Sequence, residues 1–439
     1  MDINTLRNDT DMVKENEIRR FNDPKIVDDI LYLDNKLKVI QHKLDSYRGL
    51  KNKLSKFYSK ANDDVIITYE NVDQLIENLE KDIKYAELLT KTQLKDISSY
   101  LNPLITNMES DDKILRTERD NLISKLGNKL HDNVPIYKDE DNNITLFESG
   151  LCTDKKYTHV EMGHKLDIID TQIGNKIAGN RGYFLTGLGV KLNRAIISYA
   201  LDFLESKEFN LMETPHFVNH DVMSKITQLS EFEETLYKIE GQDKYLIATS
   251  EQPLTAQFYN TKLRKNDFPM KLGGVSSCYR KEAGRHGTQM AGIFRVHQFE
   301  KVEQFIVSDA KNSWEYFDLL INNCKEFYDS LGISYRLINI VSGALNLAAA
   351  QKYDLEAWFP GSKFYGELVS CSNVTDYFSK KINSKILETG EYVHMLNCTL
   401  TANTRTICIL METHQTEYGM DIPLVLQKYM GCDKILFKK

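Results

Sequence analysis

The segment FRVHQFEKVEQF, residues 294–305, does not have the composition of an ordinary β-strand. In an extended chain, successive side chains point to opposite faces of the strand. One face would then carry Arg295, His297, Phe299, Lys301 and Glu303. A solvated edge would explain the charges but not Phe299, whereas a core face would explain Phe299 but not two cations and a carboxylate. The mixture predicts the floor of a polar pocket.

A second strand precedes this segment. The residues CYRKE, 278–282, are separated from it by AGRHGTQMAGI, which contains Gly284, Gly287 and Gly292. We expect a long hairpin that places Arg280 and Glu282 opposite Arg295, Phe299 and Glu303. Guanidinium groups grip phosphate, an aromatic ring stacks on a base, and carboxylates accept from amines, so a nucleotide fits this set. An ion-paired sheet is the alternative, but it explains neither the glycine loop nor Arg405.

Length and charge limit the class of protein. The chain has 439 residues, 41% hydrophobic and 27% charged, which predicts a soluble globular protein of two domains. A net charge of -7 argues against general nucleic-acid affinity, although a local basic face could still bind a polyanion. The N-terminus lacks a secretory signal, and the longest apolar run, from Leu337, is too short and polar to cross a bilayer. We expect a cytoplasmic location and no membrane partner.

The seven cysteines are scattered along the chain without a CxxC pair. This spacing encodes neither a disulfide framework nor a dense zinc site, and it predicts reduced, mostly buried thiols.

The N-terminal part has the pattern of an antiparallel helical hairpin. Between Ile26 and Leu54 the apolar residues follow one another at steps of four and three, interrupted at Lys51, and the pattern resumes from Leu94 to Leu126. A polar turn is expected at residues 61–64, and Pro103 is expected to kink or briefly break the second helix. We assign residues 1–130 to this coiled-coil arm, 131–170 to a linker, and 171–439 to a globular catalytic domain.

The first predicted helix is strongly basic. From residue 36 to residue 60 it carries eight cations against a single acid, Asp45. Such a run could lie along a phosphate backbone. The simpler alternative is the solvated surface of a coiled coil.

The sequence of the globular part predicts a fold of the α+β class. Helical spacing over residues 189–209 is followed by a strand that ends at Pro215, and then by the candidate strands LIATSEQPL, LGGVSSCYRKE, ELVSCSNVTDY and YVHMLNCTLTANTRTICILMETHQ. Several short strands mixed with helices predict an antiparallel sheet flanked by helices.

These motifs resemble a known family. The two strands with their glycine loop resemble motif 2 of the class II aminoacyl-tRNA synthetases, TANTRTICILME resembles motif 3, and the helix and strand ending at Pro215 resemble motif 1, the dimer-forming element. More narrowly, TSEQPL, GIFRVHQFEKVEQF, YDLEAWFPGS, ELVSCSN and LNCTLTANTRT are similar to seryl-tRNA synthetases of the eukaryotic cytosolic type. The likeness covers almost the whole chain, including the hairpin, which resembles that family's tRNA-binding arm.

The resemblance implies an ATP- and Mg²⁺-dependent serine–tRNA ligase that forms a homodimer and binds L-serine and serine tRNA. In the implied catalytic roles, Arg280 holds the α-phosphate and Arg405 the γ-phosphate. The implied ATP contacts are Arg280, Glu282, Arg295, Val296, Phe299, Glu367, Ser370 and Arg405, with Glu367 and Ser370 as the Mg²⁺ contacts. The implied serine contacts are Thr249, Glu251, Arg280, Glu303, Asn397 and Thr399. The implied tRNA contacts on the arm are Lys36, Lys43, Arg48, Lys51, Lys53 and Lys56.

The chain differs from the family at two places. Ala291 and Gly366 stand where an arginine is common. VMSKI from Val222 is similar to a class I synthetase signature, but no companion motif precedes it. His297 has no second metal ligand nearby, so we expect it to orient the pocket strand.

Two alternatives to an active ligase stay open: a catalytically silent synthetase paralogue that binds RNA or protein, and a coiled-coil scaffold. The scaffold does not explain the pocket residues. Retention of Arg280, Glu282, Glu303 and Arg405 favours the enzyme.

Overall fold

The computed structural model describes residues 1–61, 71–227, 235–282 and 291–438. Of the predicted turn at residues 61–64 only Ala61 is described, and Gly284 and Gly287 lie outside the described residues. The chain divides into two compact units, residues 1–18 with 22–126, and residues 19–21 with 127–439. The structure thus assigns residues 131–170 to the second unit, where they include a strand and a helix.

The N-terminal unit is helical. Its helices are α1 Ile3–Asn8, α2 Thr10–Arg19, α3 Lys25–Tyr58, α4 Val72–Lys81 and α5 Lys91–Ile123, with a 3₁₀ helix at Ile83–Leu88. Because apolar residues recur every three or four positions, α3 packs one side of its length against α5 and buries Leu37, Leu44 and Leu54. The predicted helical hairpin is confirmed.

Three details of the hairpin differ from the prediction. The connection is more than a turn, since α4 and the 3₁₀ helix pack against the ends of α3 and α5 in an apolar cluster. Helix α5 begins at a capping box formed by Thr90 and Gln93 and runs through Pro103 without a break. Asp34 is buried beside the packed stripe, where Arg7, Lys38 and Arg119 neutralise it. Of the predicted kink or short break at Pro103, the break was wrong, because α5 is continuous there.

The second unit is built on a mixed sheet. Its strands are β1 Ile144–Ser149, β2 Ile169–Asp170, β3 Phe184–Leu185, β4 Asn210–Glu213, β5 Phe217–Asn219, β6 Lys244–Leu246, β7 Lys262–Leu263, β8 Met270–Tyr279, β9 Gln298–Ser308, β10 Tyr335–Asn339, β11 Gln351–Phe359, β12 Phe364–Thr375, β13 Lys385–Ile386, β14 His394–Ala402, β15 Gly419–Asp421 and β16 Lys434–Leu436. Eight of them form a sheet in the order β1-β10-β11-β12-β14-β9-β8-β4. Every neighbouring pair is antiparallel except β4 and β8, which are parallel.

Helices cover both faces of this sheet. They are α6 His159–Leu166, α7 Thr171–Ala178, α8 Leu188–Ser206, α9 His220–Ile226, α10 Glu251–Ala256, α11 Ser313–Ser330, α12 Tyr377–Ile382, α13 Asn403–Thr413 and α14 Leu424–Met430, with 3₁₀ helices at Glu140–Asn142, Lys265–Asp267 and Ser342–Ala344. The larger apolar core lies between the sheet and α8, α11, α13 and α14. A smaller one joins the other face to α9, α10 and α12. The predicted α+β class, a sheet flanked by helices, is confirmed.

Strand β9 explains where the pocket lies. Its residues Val302 and Ile306 point into the larger core, whereas Phe305 and Val307 point into the smaller one. Phe299, Lys301 and Glu303 share the second face because they have the same parity. That face is therefore apolar at the end of the strand and polar at its beginning, where the helical cover stops.

Three segment assignments needed correction. Strand β9 begins at Gln298, so Arg295 and His297 belong to an irregular approach to the strand and not to its face. In LIATSEQPL only the first residue is in a strand, residues 247–250 are irregular, and the residues from Glu251 form α10. The long segment after residue 393 is a strand only as far as Ala402 and then becomes α13, because the chain turns away from the sheet there. Its run of apolar residues fits a buried helix as well as a strand.

The cysteines are all free. Five are buried, Cys152 is exposed and Cys432 is half-buried, which agrees with the predicted thiols. Within the described residues no helix is long and apolar enough to span a membrane.

Candidate active site

A cavity of about 250 Å³ opens over the polar end of β9, between β8, β12 and β14. It is lined by twelve of the thirteen predicted ATP and serine contacts: Thr249, Glu251, Arg280, Glu282, Arg295, Val296, Phe299, Glu367, Ser370, Asn397, Thr399 and Arg405. The thirteenth, Glu303, lies directly beneath the wall and is fully buried. Residues from five separate parts of the chain thus converge on one pocket.

Arg280 is held in place by its surroundings. It follows the last residue of β8, and its Nε donates to the carbonyl oxygen of Ala248 at 3.2 Å. The guanidinium carbon lies 5.2 Å from the centre of the Phe299 ring, a cation–π contact. The Arg280 amide donates to the His297 carbonyl at 2.8 Å, and His297 Nδ1 lies 2.9 Å from the Arg280 carbonyl. His297 therefore ties the segment before β9 to the residue that follows β8, which fits the predicted orienting role.

Glu282 lies at the mouth of the pocket between two arginines. Its backbone φ is 50°, in the left-handed region. Arg295 donates to its carboxylate at 2.8 Å, and the Arg181 guanidinium lies 3.9 Å from the same oxygen. Burial raises the pKa of Glu282, but the hydrogen bond and charge of Arg295 outweigh it and lower that pKa below its usual value. The carboxylate is therefore ionised and available as an acceptor.

The floor of the pocket contains a buried ion pair. Lys301 Nζ lies 2.5 Å from Glu303 Oε2, and the Thr399 hydroxyl donates to the same oxygen at 3.3 Å. The other oxygen, Oε1, is buried and has no hydrogen-bond partner among the described residues. Asn397 is similar, since its amide nitrogen donates to Glu251 at 3.0 Å while its Oδ1 is buried and accepts from no residue that the structure describes. Such unpartnered acceptors are costly, and they mark a place where ligand donors would be accepted.

The opposite wall holds Glu367 and Arg405. Arg405 donates to the Glu367 carbonyl at 2.7 Å and lies 3.6 Å from its carboxylate, while its guanidinium stacks 5.0 Å from the centre of the Phe294 ring. Burial raises the pKa of Glu367, but the charges of Arg405 and Lys352 outweigh it and lower that pKa. An ionised carboxylate therefore lies beside an arginine.

A buried carboxylate lies behind this wall. Asp354 is paired with Lys352 at 2.9 Å, and one of its oxygens has no partner. Burial, opposed by Lys352 and aided by the charge of Glu367, raises the pKa of Asp354 to about 6. The described residues contain no cluster of three or more His, Cys, Asp or Glu side chains that could hold a metal by themselves.

The predicted tRNA contacts on α3 are all exposed: Lys36, Lys43, Arg48, Lys51, Lys53 and Lys56. Arg48 is paired with Glu109 on α5 at 2.6 Å, and Lys36 lies over the Tyr32 ring. Within the described part of the chain, Lys51, Lys53 and Lys56 form no ion pair.

Comparison with known proteins places these features in a family. Residues 1–109 match the seryl-tRNA synthetase N-terminal domain, and residues 234–414 match the tRNA synthetase class II core domain (G, H, P, S and T). The chain is 41% identical to the cytoplasmic serine–tRNA ligase of Arabidopsis thaliana, over 99% of this chain and 96% of that protein. It is 40% identical to the cytoplasmic serine–tRNA ligase of Danio rerio, over 96% and 87%. The chain belongs to the seryl-tRNA synthetase family.

Solved structures agree with this membership in the family. The cytoplasmic serine–tRNA ligase of Naegleria fowleri in complex with AMP superposes with a TM-score of 0.89 at 41% identity, covering 100% of this chain and 99% of that chain. The seryl-tRNA synthetase of Pyrococcus horikoshii complexed with ATP superposes with a TM-score of 0.87 at 34% identity, covering 100% of both chains. The resemblance to seryl-tRNA synthetases, read from the motifs, is confirmed.

The structure gives a physical reason for one departure from the family pattern. A Cβ atom at Gly366 would lie 2.7 Å from Phe359 and 3.1 Å from Phe294. Because two rings occupy this space, an arginine at position 366 would need both to move. Packing of these two rings therefore favours glycine at this position.

Some pocket residues were missed from the sequence or left without a role. Lys301 was placed on the pocket face, but its pairing with Glu303 was not foreseen. Arg181 contacts Glu282 from a loop about 100 positions earlier in the chain. The one unusual feature of its own backbone is a φ of 70°. Asn346 and Ala348 line the cavity from a segment without a motif. Their positions follow from the tertiary fold, so no local pattern could have identified them.

Proposed function

We propose that this chain activates L-serine with ATP and transfers the serine to the 3′ end of serine tRNA. Membership of the seryl-tRNA synthetase family and the relatives' activity as serine–tRNA ligases support this function. The single observation that carries the substrate assignment is the pair of unpartnered buried acceptors, Glu303 Oε1 and Asn397 Oδ1, in a pocket lined by Arg280, Arg295 and Arg405.

The arginines suit the nucleotide. Arg280 would hold the α-phosphate and Arg405 the γ-phosphate, because guanidinium groups bind phosphate oxygens in a planar, charge-assisted geometry. Adenine would stack on Phe299, with Glu282, Arg295 and Val296 around its edge. The two similar structures are complexes with AMP and with ATP, which supports an adenine nucleotide as the ligand.

Serine would lie deeper in the pocket. Its ammonium and hydroxyl would donate to Glu303 and Asn397, with Thr249, Glu251 and Thr399 closing the site. A substrate without the hydroxyl would leave a buried acceptor unpaired, which costs on the order of 1–3 kcal/mol. Arg280 would also contact the serine carboxylate, which places the attacking oxygen near the α-phosphate.

The chain needs no nucleophile of its own for this reaction. In-line attack by the serine carboxylate depends on positioning and on neutralising the charge that develops on the phosphates. Glu367 and Ser370 offer two hard oxygen ligands, and Glu367 is ionised, so this wall fits Mg²⁺, which takes its other ligands from phosphates and water. Mg²⁺ would supply charge neutralisation when bound with ATP.

The arm would bind the tRNA. The cations Lys51, Lys53 and Lys56, with Lys36, Lys43 and Arg48, line the exposed length of α3 and suit a phosphate backbone. We assign recognition of serine tRNA to the N-terminal helical domain, residues 1–130, and chemistry to residues 171–439. The predicted linker, residues 131–170, would belong functionally with the catalytic part.

We also propose a homodimer. Exposed apolar side chains lie on α8 and β4, which resemble motif 1, and on α7 and β3, which precede them in the chain: Ile173, Ile177, Phe184, Val190 and Leu211. A patch of this composition is typical of an interface, and a two-fold axis would pair it with its own copy.

Serine-dependent exchange of pyrophosphate into ATP tests the activation step directly. The expected result is exchange with L-serine and much less with L-alanine or L-threonine. Absence of exchange by folded protein would instead support a catalytically silent paralogue.

A further inference from the structure

A buried histidine lies behind the nucleotide wall, outside the proposed substrate contacts. His159 is the first residue of α6, and its side chain is 5% exposed. Its Nδ1 lies 2.7 Å from Glu412 Oε1, and its Nε2 lies 3.1 Å from the Ala291 carbonyl oxygen. Both partners are acceptors, so each ring nitrogen faces an oxygen to which an N–H can donate. His159 therefore joins α6, α13 and the segment that starts at Ala291.

Glu412 anchors the other end of this link. Its carboxylate accepts from the His159 amide at 2.8 Å, from the amides of Gly361 and Ser362 at 2.8 and 2.9 Å, and from the Ser362 hydroxyl at 2.5 Å. Burial raises the pKa of Glu412, but the hydrogen bonds from His159 and Ser362 outweigh it and lower that pKa. The carboxylate is thus a fixed anion to which His159 is bound.

The segment that His159 holds forms part of the nucleotide wall. Ala291 is followed by Phe294, Arg295 and Val296, all of which line the cavity. The Phe294 ring lies 6.4 Å from the His159 ring on one side and 5.0 Å from the Arg405 guanidinium on the other. A shift of this segment would therefore move groups proposed to contact ATP.

Helix α13 connects the histidine to the pocket, because it carries both Glu412 and Arg405. Arg405 and Glu412 are seven residues apart, about two turns, so they project from the same side of α13. One end of the helix therefore presents Arg405 to the pocket while the other fixes His159.

Gly292 shows that the contact is tight. Its φ is +65°, and a Cβ atom there would lie 3.3 Å from His159 Cδ2 and 3.1 Å from Val160 Cγ2. This backbone conformation favours glycine, and the lack of a side chain lets the segment approach the imidazole ring.

We propose that His159 is a positioning residue for ATP: bridging Glu412 and the Ala291 carbonyl, it fixes the segment that carries Arg295 and Val296. The inference rests on the proposed function, because ATP is the ligand whose site it positions. The proposed serine contacts Glu303, Asn397 and Thr399 lie instead on β9 and β14.

Two substitutions separate the two hydrogen bonds. In His159→Asn the amide can take the place of Nδ1 and donate to Glu412, but it is too short to reach Ala291. In His159→Gln the longer side chain can reach the Ala291 carbonyl. We expect His159→Asn to raise the KM for ATP in pyrophosphate exchange about tenfold, and His159→Gln to stay within about threefold of the parent. The KM for serine should change less than about twofold in both.

Gly292→Ala provides an independent variant, because it displaces the segment without removing a hydrogen-bonding group. It should also raise the KM for ATP and leave the KM for serine unchanged, and it replaces His159→Asn if that protein does not fold. A parental ATP KM in His159→Asn or in Gly292→Ala would overturn the proposal. So would equal rises in both KM values, or a His159→Gln protein as impaired as His159→Asn.

Failure of the proposed function would look different. If the parent protein shows no serine-dependent exchange, the same variants are compared by calorimetric titration with ATP. A roughly tenfold weaker Kd in His159→Asn and near-parental binding in His159→Gln would support the positioning role even then, and unchanged binding would refute it.

Discussion

The buried ion pair of Lys301 and Glu303 on the floor of the pocket shows how single residues prepare the site for its ligand. Lys301 and Glu303 are almost fully buried, and taking two such charges out of water costs several kcal/mol each before their attraction is counted. Two apolar side chains of similar volume would fill the same space without this desolvation penalty. Retaining a buried anion with one free oxygen makes sense as a binding device, because serine has a cationic ammonium and a donating hydroxyl.

The first expected outcome concerns Arg280. Arg280→Ala removes a guanidinium aimed at the charge that develops on the α-phosphate, and we expect pyrophosphate exchange to fall by more than about 100-fold. Arg264→Ala, at an exposed arginine outside the pocket, is the matched control and should behave as the parent. Near-normal exchange by a folded Arg280→Ala protein would contradict the assignment of Arg280 to the α-phosphate.

The second concerns the serine end. Glu303→Gln keeps the shape of the side chain but removes the charge that the serine ammonium would meet. A hydrogen bond to a charged group is worth roughly 1.5–3 kcal/mol, so we expect the KM for serine to rise about 10- to 100-fold with little change for ATP. Glu417→Gln, at an exposed glutamate, is the control. An increase confined to the ATP KM would assign Glu303 to the nucleotide instead.

The residues of the site show how far sequence reasoning extends. Thr249, Arg280, Glu367 and Arg405 could be named because each lies in a short motif with a recognisable neighbourhood. Lys301 could be placed on the pocket face of the strand, but its ion pair with Glu303 could not be predicted. The alternation of side chains along a strand shows which face a residue occupies and not how close two charged groups lie. His159 and Glu412 are 253 positions apart, and no periodicity connects them.

At the level of elements, α3 combines a packed stripe with a basic surface. Leu44, Leu50 and Leu54 are buried, whereas Lys51, Lys53 and Lys56 around them are exposed. The sequence predicted this helix well because its spacing is regular over many turns. It did not predict α4, although Val72, Leu75, Ile76 and Leu79 recur there at helical spacing, because the prediction rested on the long repeats on either side. It misplaced the helix–strand boundary after residue 402, where burial on all sides removes the alternation that marks a strand.

The third expected outcome tests the basic surface of α3. Replacing Lys51, Lys53 and Lys56 by Ala should weaken charging of serine tRNA and leave pyrophosphate exchange unchanged. Each lost phosphate contact should reduce the slope of log affinity against log salt by roughly 0.9 or less. The measurement is the KM for tRNA between low and physiological salt.

The control variant also removes three positive charges, but from the surface of the second unit. Lys265, Lys311 and Lys434 are exposed lysines of the second unit, and their triple replacement should leave the salt dependence of charging as in the parent. If the α3 triple variant charges like the parent at every salt concentration, the surface is a solvated coiled-coil face and not an RNA contact.

On the scale of the whole molecule, assembly is the fourth expected outcome. The exposed apolar residues of α7, β3 and α8 should pair with a second copy, so sedimentation at micromolar concentration should give a dimer. Ile177→Asp and Phe184→Asp place charges in this interface and should shift the protein towards monomer. Leu424→Asp, at a still more exposed apolar position of α14, is the control. A parent protein that sediments only as monomer would contradict the homodimer.

The final expected outcome separates the two units of the molecule. Gln41 on α3 donates to Asp112 on α5 at 2.9 Å, so the two helices are adjacent there and a short glycine–serine turn could join them. Removing residues 42–111 deletes α4 and the cations Lys43, Arg48, Lys51, Lys53 and Lys56, while every pocket residue remains. The shortened chain should retain serine-dependent exchange within about twofold, because adenylate formation uses only the pocket. Its charging of serine tRNA should fall by at least about 100-fold, because several phosphate contacts, each salt-dependent, are lost together. Equal loss of both activities would indicate misfolding or a catalytic role for the arm, and parental charging would refute tRNA binding by this part of the chain.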